Sequence, residues 1–323
     1  MTPHPAMPSQ PAVPSAPAAS SHPSVTPDPG AKSESAVEST GAERVAILGA
    51  GTVGRALAES LIRAGHPADK LIVTVRREEH AARLREELPC EVLLDNAEAT
   101  RRASIVVLAT KPQDIGPALA AVRTNQLVVS LAAGITTAVL EKRRGEKDEP
   151  ASGEFRAEED DRRGPRVVRV MTNTGLMVDQ AMSVISAGRH ATGNDMDSAE
   201  ALLRAGGRVV RLPEDQQDAV SALSGHGAAY LYFIVEVLTQ AGVYAGVAQP
   251  VARELLVQTM VGATTLLRDS GAHPVELREA IMSRGGATIS AFREIERHNV
   301  RDALFEAVMA ATRRGAELSE LAS

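Results

Sequence analysis

The sequence predicts an α/β domain with a doubly wound, mostly parallel sheet, followed by an all-helical domain, and three observations lead to that fold. Short apolar runs of strand length alternate with helix-length segments from residue 44 to about residue 212. A glycine-rich turn follows directly on the first of those runs. Beyond Pro213 the apolar period becomes 3.6 and stays so to the end of the chain.

The elements follow in order. The run 45–48 (VAIL) reads as a buried strand, and the apolar spacing of Val53, Leu57, Leu61 and Ile62 gives a helix that Gly65 is placed to end. A strand at 71–75 precedes a charged helix at 78–88, and strand-like runs recur at 91–94, 105–109, 127–131 and 167–171. A last strand pair is expected at 182–186 and 208–212. Helices are expected at 227–245, 250–269 and 274–282, then from Thr288 to the end with a break near Asn299. The expected organisation is a disordered tail at 1–42, a dinucleotide-binding domain at 43–213 and a helical domain at 214–323. Broad apolar faces on so small a helical unit call for a second subunit, so a homodimer or larger homo-oligomer is expected.

Composition excludes several classes. A net charge of -6 argues against a nucleic-acid surface, and 2% aromatic residues without Trp argue against base-stacking platforms. No apolar run reaches the ~20 residues of a membrane span. The Pro-, Ala- and Ser-rich tail carries neither a signal-peptide pattern nor a transit-peptide pattern. Cys90 is the single cysteine, with no CxxC spacing, so it reads as packing or surface, and a cytoplasmic location is expected. The eight histidines show no ligand spacing, and no metal is assigned. The stretch 142–165 (KRRGEKDEPASGEFRAEEDDRRGP) mixes charges of both signs with Gly and Pro and reads as a solvated flexible loop.

Gly49-Ala50-Gly51-Thr52-Val53-Gly54 lies after a strand and opens a helix, the context in which GxGxxG binds a dinucleotide in a Rossmann-type domain. The first glycine permits the turn, the second lets backbone approach the pyrophosphate, and the third lets helix and strand pack closely. An acid at the end of the second strand would favour NAD through the ribose 2′-hydroxyl. Arg76 and Arg77 stand there instead, and two guanidinium groups suit a 2′-phosphate. NADP(H) is therefore the expected cofactor, with NAD(H) as the second choice. In the opposing reading Glu78 and Glu79 simply neutralise the two arginines.

Further segments carry a family resemblance across nearly all of the chain from Arg44 to about Leu321. They are Leu108-Ala109-Thr110-Lys111-Pro112, Ser130-Leu131-Ala132-Ala133-Gly134-Ile135, Met171-Thr172-Asn173-Thr174, the segment from Asp218 to Gly225 (DAVSALSG), and Gly285-Gly286-Ala287-Thr288-Ile289. With the glycine fingerprint, they resemble pyrroline-5-carboxylate reductase. The resemblance implies that the fingerprint, Ala109 to Pro112 and Ala132 to Gly134 hold the cofactor. It also places Asn96 near the adenosine ribose and makes the last segment a cradle for the substrate carboxylate. The implied reaction is hydride transfer from NADPH to 1-pyrroline-5-carboxylate, giving L-proline, the last step of proline biosynthesis. The resemblance implies too that the helical domain pairs with that of a second subunit and completes the active site there.

The residues support the cradle in their own right. Gly285 and Gly286 free their amides to turn toward an anion, Ala287 crowds nothing, and the helix starting near Thr288 adds its positive end. The Ser283 and Thr288 hydroxyls supply further donors, and Thr288 is also placed to reach a ring nitrogen. Read alone, such a turn is plain helix capping.

Four positions depart from the family pattern. Gly175 stands where proline usually follows MxNT, His226 and Ala228 replace the Ser and Pro of SGSGPAY, and Arg284 replaces the proline before the two glycines. His226 reads either as a cap or packing residue at the start of the long helix, or as an acid or base. Two other functions stay open at this point: a related NADP-dependent reductase of another cyclic imine, and a non-catalytic NADP-binding homologue.

Overall fold

The computed structural model describes residues 43–123, 126–145 and 165–322. The expected tail at 1–42 and most of the charged loop, 146–164, lie outside the described residues. One eight-stranded sheet organises the first part of the chain. Its strands are β1 (Val45–Leu48), β2 (Leu71–Thr74), β3 (Glu91–Leu93), β4 (Ile105–Leu108), β5 (Leu127–Ser130), β6 (Arg166–Met171), β7 (Ala181–Ala187) and β8 (Gly207–Arg211). Their spatial order is β3-β2-β1-β4-β5-β6-β7-β8. All neighbours are parallel except β6 and β7.

The side-chain period of two explains why β1, β2, β4 and β5 read as continuous apolar runs: both faces are covered. The connecting helices are α1 (Thr52–Arg63), α2 (Glu78–Glu87), α3 (Asn96–Arg101), α4 (Ile115–Ala120), α5 (Thr137–Gly145) and α6 (Gly193–Arg204). On one face Val45 and Ile47 share a core with Leu57 and Leu61 of α1, Leu84 of α2 and Leu203 of α6. On the other, Ala46 and Leu48 pack with Ile115 and Leu119 of α4 and Leu140 of α5. The connections therefore diverge to opposite faces on either side of the β1–β4 junction, which opens a crevice at the carboxyl ends of those strands.

After Pro213 come a 3₁₀ turn (Glu214–Gln216), α7 (Gln217–Val220), a π-helical turn (Ser221–Gly225), α8 (Gly227–Tyr244), α9 (Gln249–Ser270), α10 (Pro274–Ala280), α11 (Ala287–Arg297) and α12 (Val300–Ala322). The break near Asn299 is real, and its φ of 53° lies in the left-handed region that asparagine tolerates.

Helical structure begins at Glu214, as the change of period after Pro213 predicts, and the stretch 214–225, to which no particular helix was assigned, forms a 3₁₀ turn, α7 and the π turn. Two expectations are corrected. The last turn of α5 takes in 142–145, the start of the expected loop, since the helical run from Thr137 simply continues. The helix expected at 274–282 stops at Ala280.

Candidate active site

Three loops meet at the carboxyl ends of β1, β4 and β5. In the first, Gly49 has a φ of 98°, and a Cβ there would lie 3.0 Å from the Ala109 carbonyl oxygen. A Cβ on Gly54 would lie 2.2 Å from the Gly49 carbonyl oxygen, so helix and turn approach as closely as backbone allows. A Cβ on Gly51 would meet nothing within 4 Å, which leaves room for a ligand. Gly51 is the N-cap of α1, with no side-chain cap and no acid in the first turn, and Thr52 and Val53 open that turn at the surface. Uncapped amides at a helix start, free of negative charge, favour an anion.

The same turn is tied to its neighbours. The Gly49 amide donates to Thr74 Oγ1 at 3.2 Å, and the Thr74 hydroxyl donates to Asn96 Oδ1 at 2.7 Å. Asn96 is the first residue of α3, whose end is capped by Asp95. Thr74 is thus a site residue that sequence reasoning missed. Its signal was a hydroxyl at the end of an apolar strand.

After β4, Ala109, Thr110, Lys111 and Pro112 lead into a short 3₁₀ turn (Pro112–Asp114). Thr110 Oγ1 is buried and has no hydrogen-bond partner among the described residues. Buried hydroxyls are normally satisfied, so this one fits a ligand in the crevice. After β5, Ala132 is buried, Ala133 is exposed, and Gly134 has a φ of 72° with open space at its Cβ position. These loops fit a dinucleotide.

Arg76 and Arg77 follow β2. Neutralisation by Glu78 does not occur: Glu78 pairs with Arg85 at 2.6 Å, and Arg76 reaches Asp114 at 3.0 Å. Arg77 lines a surface hollow with Glu79, His80 and Arg83.

The second candidate centre is the turn before α11. Gly285 has a φ of 71°, Gly286 is the N-cap without a side-chain cap, and the first turn of α11 carries no acid. The Gly286 amide donates to the Ser283 carbonyl at 3.0 Å, which tightens the turn. Arg284, Ala287 and Thr288 are exposed. Within the single chain α11 packs chiefly against α12, and no extensive packing joins it to the sheet among the described residues. The two centres lie on separate parts of one chain.

A polar cluster between sheet and helices was not foreseen. Arg169 is buried on β6 and pairs with Glu214 at 3.2 Å and Asp218 at 3.7 Å. Glu214 also accepts from the Thr137 amide at 2.8 Å and from its hydroxyl, and Ser319 of α12 donates to Asp218 at 3.3 Å. Nearby, Asn173 donates through Nδ2 to Ser224 Oγ at 3.1 Å and accepts from the Gly175 amide at 3.1 Å. That explains one departure: proline at 175 has no amide to donate, and a Cβ there would lie 2.6 Å from the Gln180 carbonyl oxygen. His226 is exposed and makes no side-chain cap; its amide closes the π turn on the Ser221 carbonyl at 2.9 Å. Nothing in the structure explains Ala228.

Cys90 is buried in the core, and burial pushes its thiol up to about 11, so it packs rather than attacks. Among the described residues no group of three or more His, Cys, Asp or Glu side chains is placed to hold a metal, and no helix is long and apolar enough to cross a membrane.

Fold and crevice together define a dinucleotide-binding oxidoreductase of the Rossmann type with a helical second part. Residues 44–134 match the family model described as NADP oxidoreductase, coenzyme F420-dependent, and 214–318 match that for pyrroline-5-carboxylate reductase dimerisation. Over 283 residues the chain is 34% identical to the pyrroline-5-carboxylate reductase of Corynebacterium melassecola, covering 85% of this chain and 98% of that protein. It is 31% identical over 282 residues to that of Arabidopsis thaliana, covering 86% and 96%. The solved pyrroline-5-carboxylate reductase of Coxiella burnetii matches with a TM-score of 0.76 at 30% identity, over 86% of this chain and 98% of that one. The Plasmodium falciparum structure with NADP bound has the same fold, with a TM-score of 0.73 at 22% identity over 86% and 98%. The chain belongs to the pyrroline-5-carboxylate reductase family.

Proposed function

We propose that the chain reduces 1-pyrroline-5-carboxylate to L-proline with NADPH, as a cytoplasmic homo-oligomer whose cofactor and helical parts divide at Pro213. The observation that carries the substrate assignment is the left-handed Gly285 turn at the uncapped start of α11, which presents amides to a carboxylate. Cofactor binding falls to Gly49, Ala50, Gly51, Thr52, Val53 and Gly54 at the pyrophosphate, to Arg76, Arg77 and Asn96 at the adenosine ribose, and to Ala109, Thr110, Lys111, Pro112, Ala132, Ala133 and Gly134 along the crevice wall.

The bound reduced nicotinamide supplies the hydride. A cyclic imine that arrives protonated on nitrogen accepts hydride at carbon and needs no further proton, so the protein's task is to orient it and exclude water. Ser283, Gly285 and Ala287 hold the carboxylate, Gly286 shapes the turn because its amide, expected to be free, is spent on the Ser283 carbonyl, and Thr288 adds a hydroxyl to the carboxylate or the ring nitrogen.

The two centres meet across subunits. α8 is strongly apolar yet buries only Thr239, while Leu231, Tyr232 and Phe233 stand exposed and Tyr244 is 96% exposed. An apolar surface of this extent belongs inside an interface. A second copy covers it and brings its own α11 turn to the crevice.

NADPH oxidation on addition of 1-pyrroline-5-carboxylate tests the reading, with Thr288→Ala beside the native chain. Loss of one donor to a charged group is expected to lower kcat/KM by about 10- to 100-fold, with NADPH affinity unchanged. Exposed Arg284 beside the turn favours a second reading, a different cyclic imine. Turnover of such an imine with none of 1-pyrroline-5-carboxylate would install it, and NADPH binding without oxidation by any imine would remove both.

A further inference from the structure

Asp114 heads α4, where an aspartate ordinarily accepts a hydrogen bond from the first amides of its helix. It makes no such bond. Its Oδ1 instead accepts from Arg76 Nη1 at 3.0 Å. Arg76 lies beyond the carboxyl end of β2 and Asp114 beyond that of β4, and β1 runs between these two strands, parallel to both. The pair therefore crosses the end of β1, a span of about 10 Å, where the Gly49 to Gly54 turn lies.

The Arg76 side chain is 79% exposed and that of Asp114 29%, so the pair adds little to the stability of the fold. What it does is restrain a long side chain at the mouth of the crevice. Among the described residues only Nη1 is engaged, and the rest of the guanidinium fork stays open to a second anion. A guanidinium between two anions satisfies both.

We propose that Asp114 is a positioning residue for cofactor choice: it holds Arg76 by one arm so that the remaining arms meet the 2′-phosphate of NADPH. The inference rests on the NADP reading above. Without Asp114, Arg76 loses its orientation but not its charge.

Calorimetric titration of the full chain with 2′,5′-ADP and with 5′-ADP, probes with and without the 2′-phosphate, tests this apart from any turnover. Asp114→Ala is expected to weaken 2′,5′-ADP by about tenfold and leave 5′-ADP unchanged, with Arg76→Ala weakening 2′,5′-ADP further. Equal weakening of both probes by Asp114→Ala would make Asp114 a scaffold residue and overturn the proposal. So would tighter binding of 2′,5′-ADP, which would mean that Asp114 competes with the phosphate, and so would an unchanged ratio where Arg76→Ala lowers it. If Arg76→Ala itself leaves the ratio unchanged, the assignment of Arg76 to the 2′-phosphate fails, and the role of Asp114 with it. Unchanged denaturation midpoints in both variants confirm that binding alone was altered.

Discussion

The guanidinium of Arg169, inside the sheet, donates to Glu214 Oε1 at 3.2 Å, at the point where the chain leaves the sheet for the helices. Glu214 in turn holds the start of α5 through Thr137. Strand, connection and helix thus share one carboxylate. Arg169 is buried while Glu214 is a quarter exposed and keeps its bonds from Thr137, so loss of this charged donor in Arg169→Met is expected to cost about 2 kcal/mol. Adding Glu214→Gln should recover part of that loss. Urea midpoints of the two variants check both statements.

The glycines of the fingerprint separate folding from binding. Gly54→Ala places a Cβ 2.2 Å from the Gly49 carbonyl oxygen, and overpacking of that kind is expected to destabilise by about 1–3 kcal/mol and to abolish NADPH binding. Gly51→Ala meets open space, so its thermal midpoint should match the native chain while NADPH affinity falls by about tenfold or more. Differential scanning calorimetry and NADPH fluorescence titration separate the two cases.

Thr110→Val tests whether a group without a partner serves a ligand. The hydroxyl is buried and unsatisfied, so its removal should leave the free protein as stable or more stable by about 1 kcal/mol. NADPH binding should weaken at the same time. A destabilised variant with native affinity would give Thr110 a purely structural role.

Cys90 should be silent. With its thiol buried and pushed up to about 11, iodoacetamide at about pH 8 is expected to label it only as fast as the chain opens, and the rate should rise with urea. Rapid labelling in the native state, or loss of NADPH binding in Cys90→Ala, would contradict the packing role.

His66 makes stability depend on pH. Burial lowers its pKa below the ordinary value, and its Nε2 is buried without a hydrogen-bond partner among the described residues. The unfolded chain then binds the proton more readily than the folded one, so stability rises with pH. The contribution is complete above the unfolded pKa of about 6.5 and is lost as pH falls from there through the lower folded value. Between about pH 7.5 and 5.5 the native chain should lose more in urea midpoint than His66→Gln. Equal losses would remove His66 as the cause.

Much of the fold was legible because it rests on local pattern. The apolar runs of β1, β2, β4 and β5 advertise strands buried on both faces, and Gly49, Gly54 and Gly285 mark places where the backbone turns left-handed or has no room for a Cβ. The π turn was not legible. The Met171 side chain lies 2.2 Å from where a Cβ on Gly225 would stand, so that glycine serves packing with β6, a contact far away in sequence.

By itself the sequence determined the doubly wound sheet, the glycine turn after β1, the change to helices after Pro213 and the left-handed turn at Gly285, all set by contacts within a few residues or by the period of the side chains. Tertiary structure alone decided that Arg76 answers to Asp114 rather than to its neighbours Glu78 and Glu79, that Glu214 serves both Arg169 and Thr137, and that Asn96 is reached through Thr74. These partners stand 22 to 77 residues apart. A side chain chooses among partners by distance in space, and folding alone sets that distance.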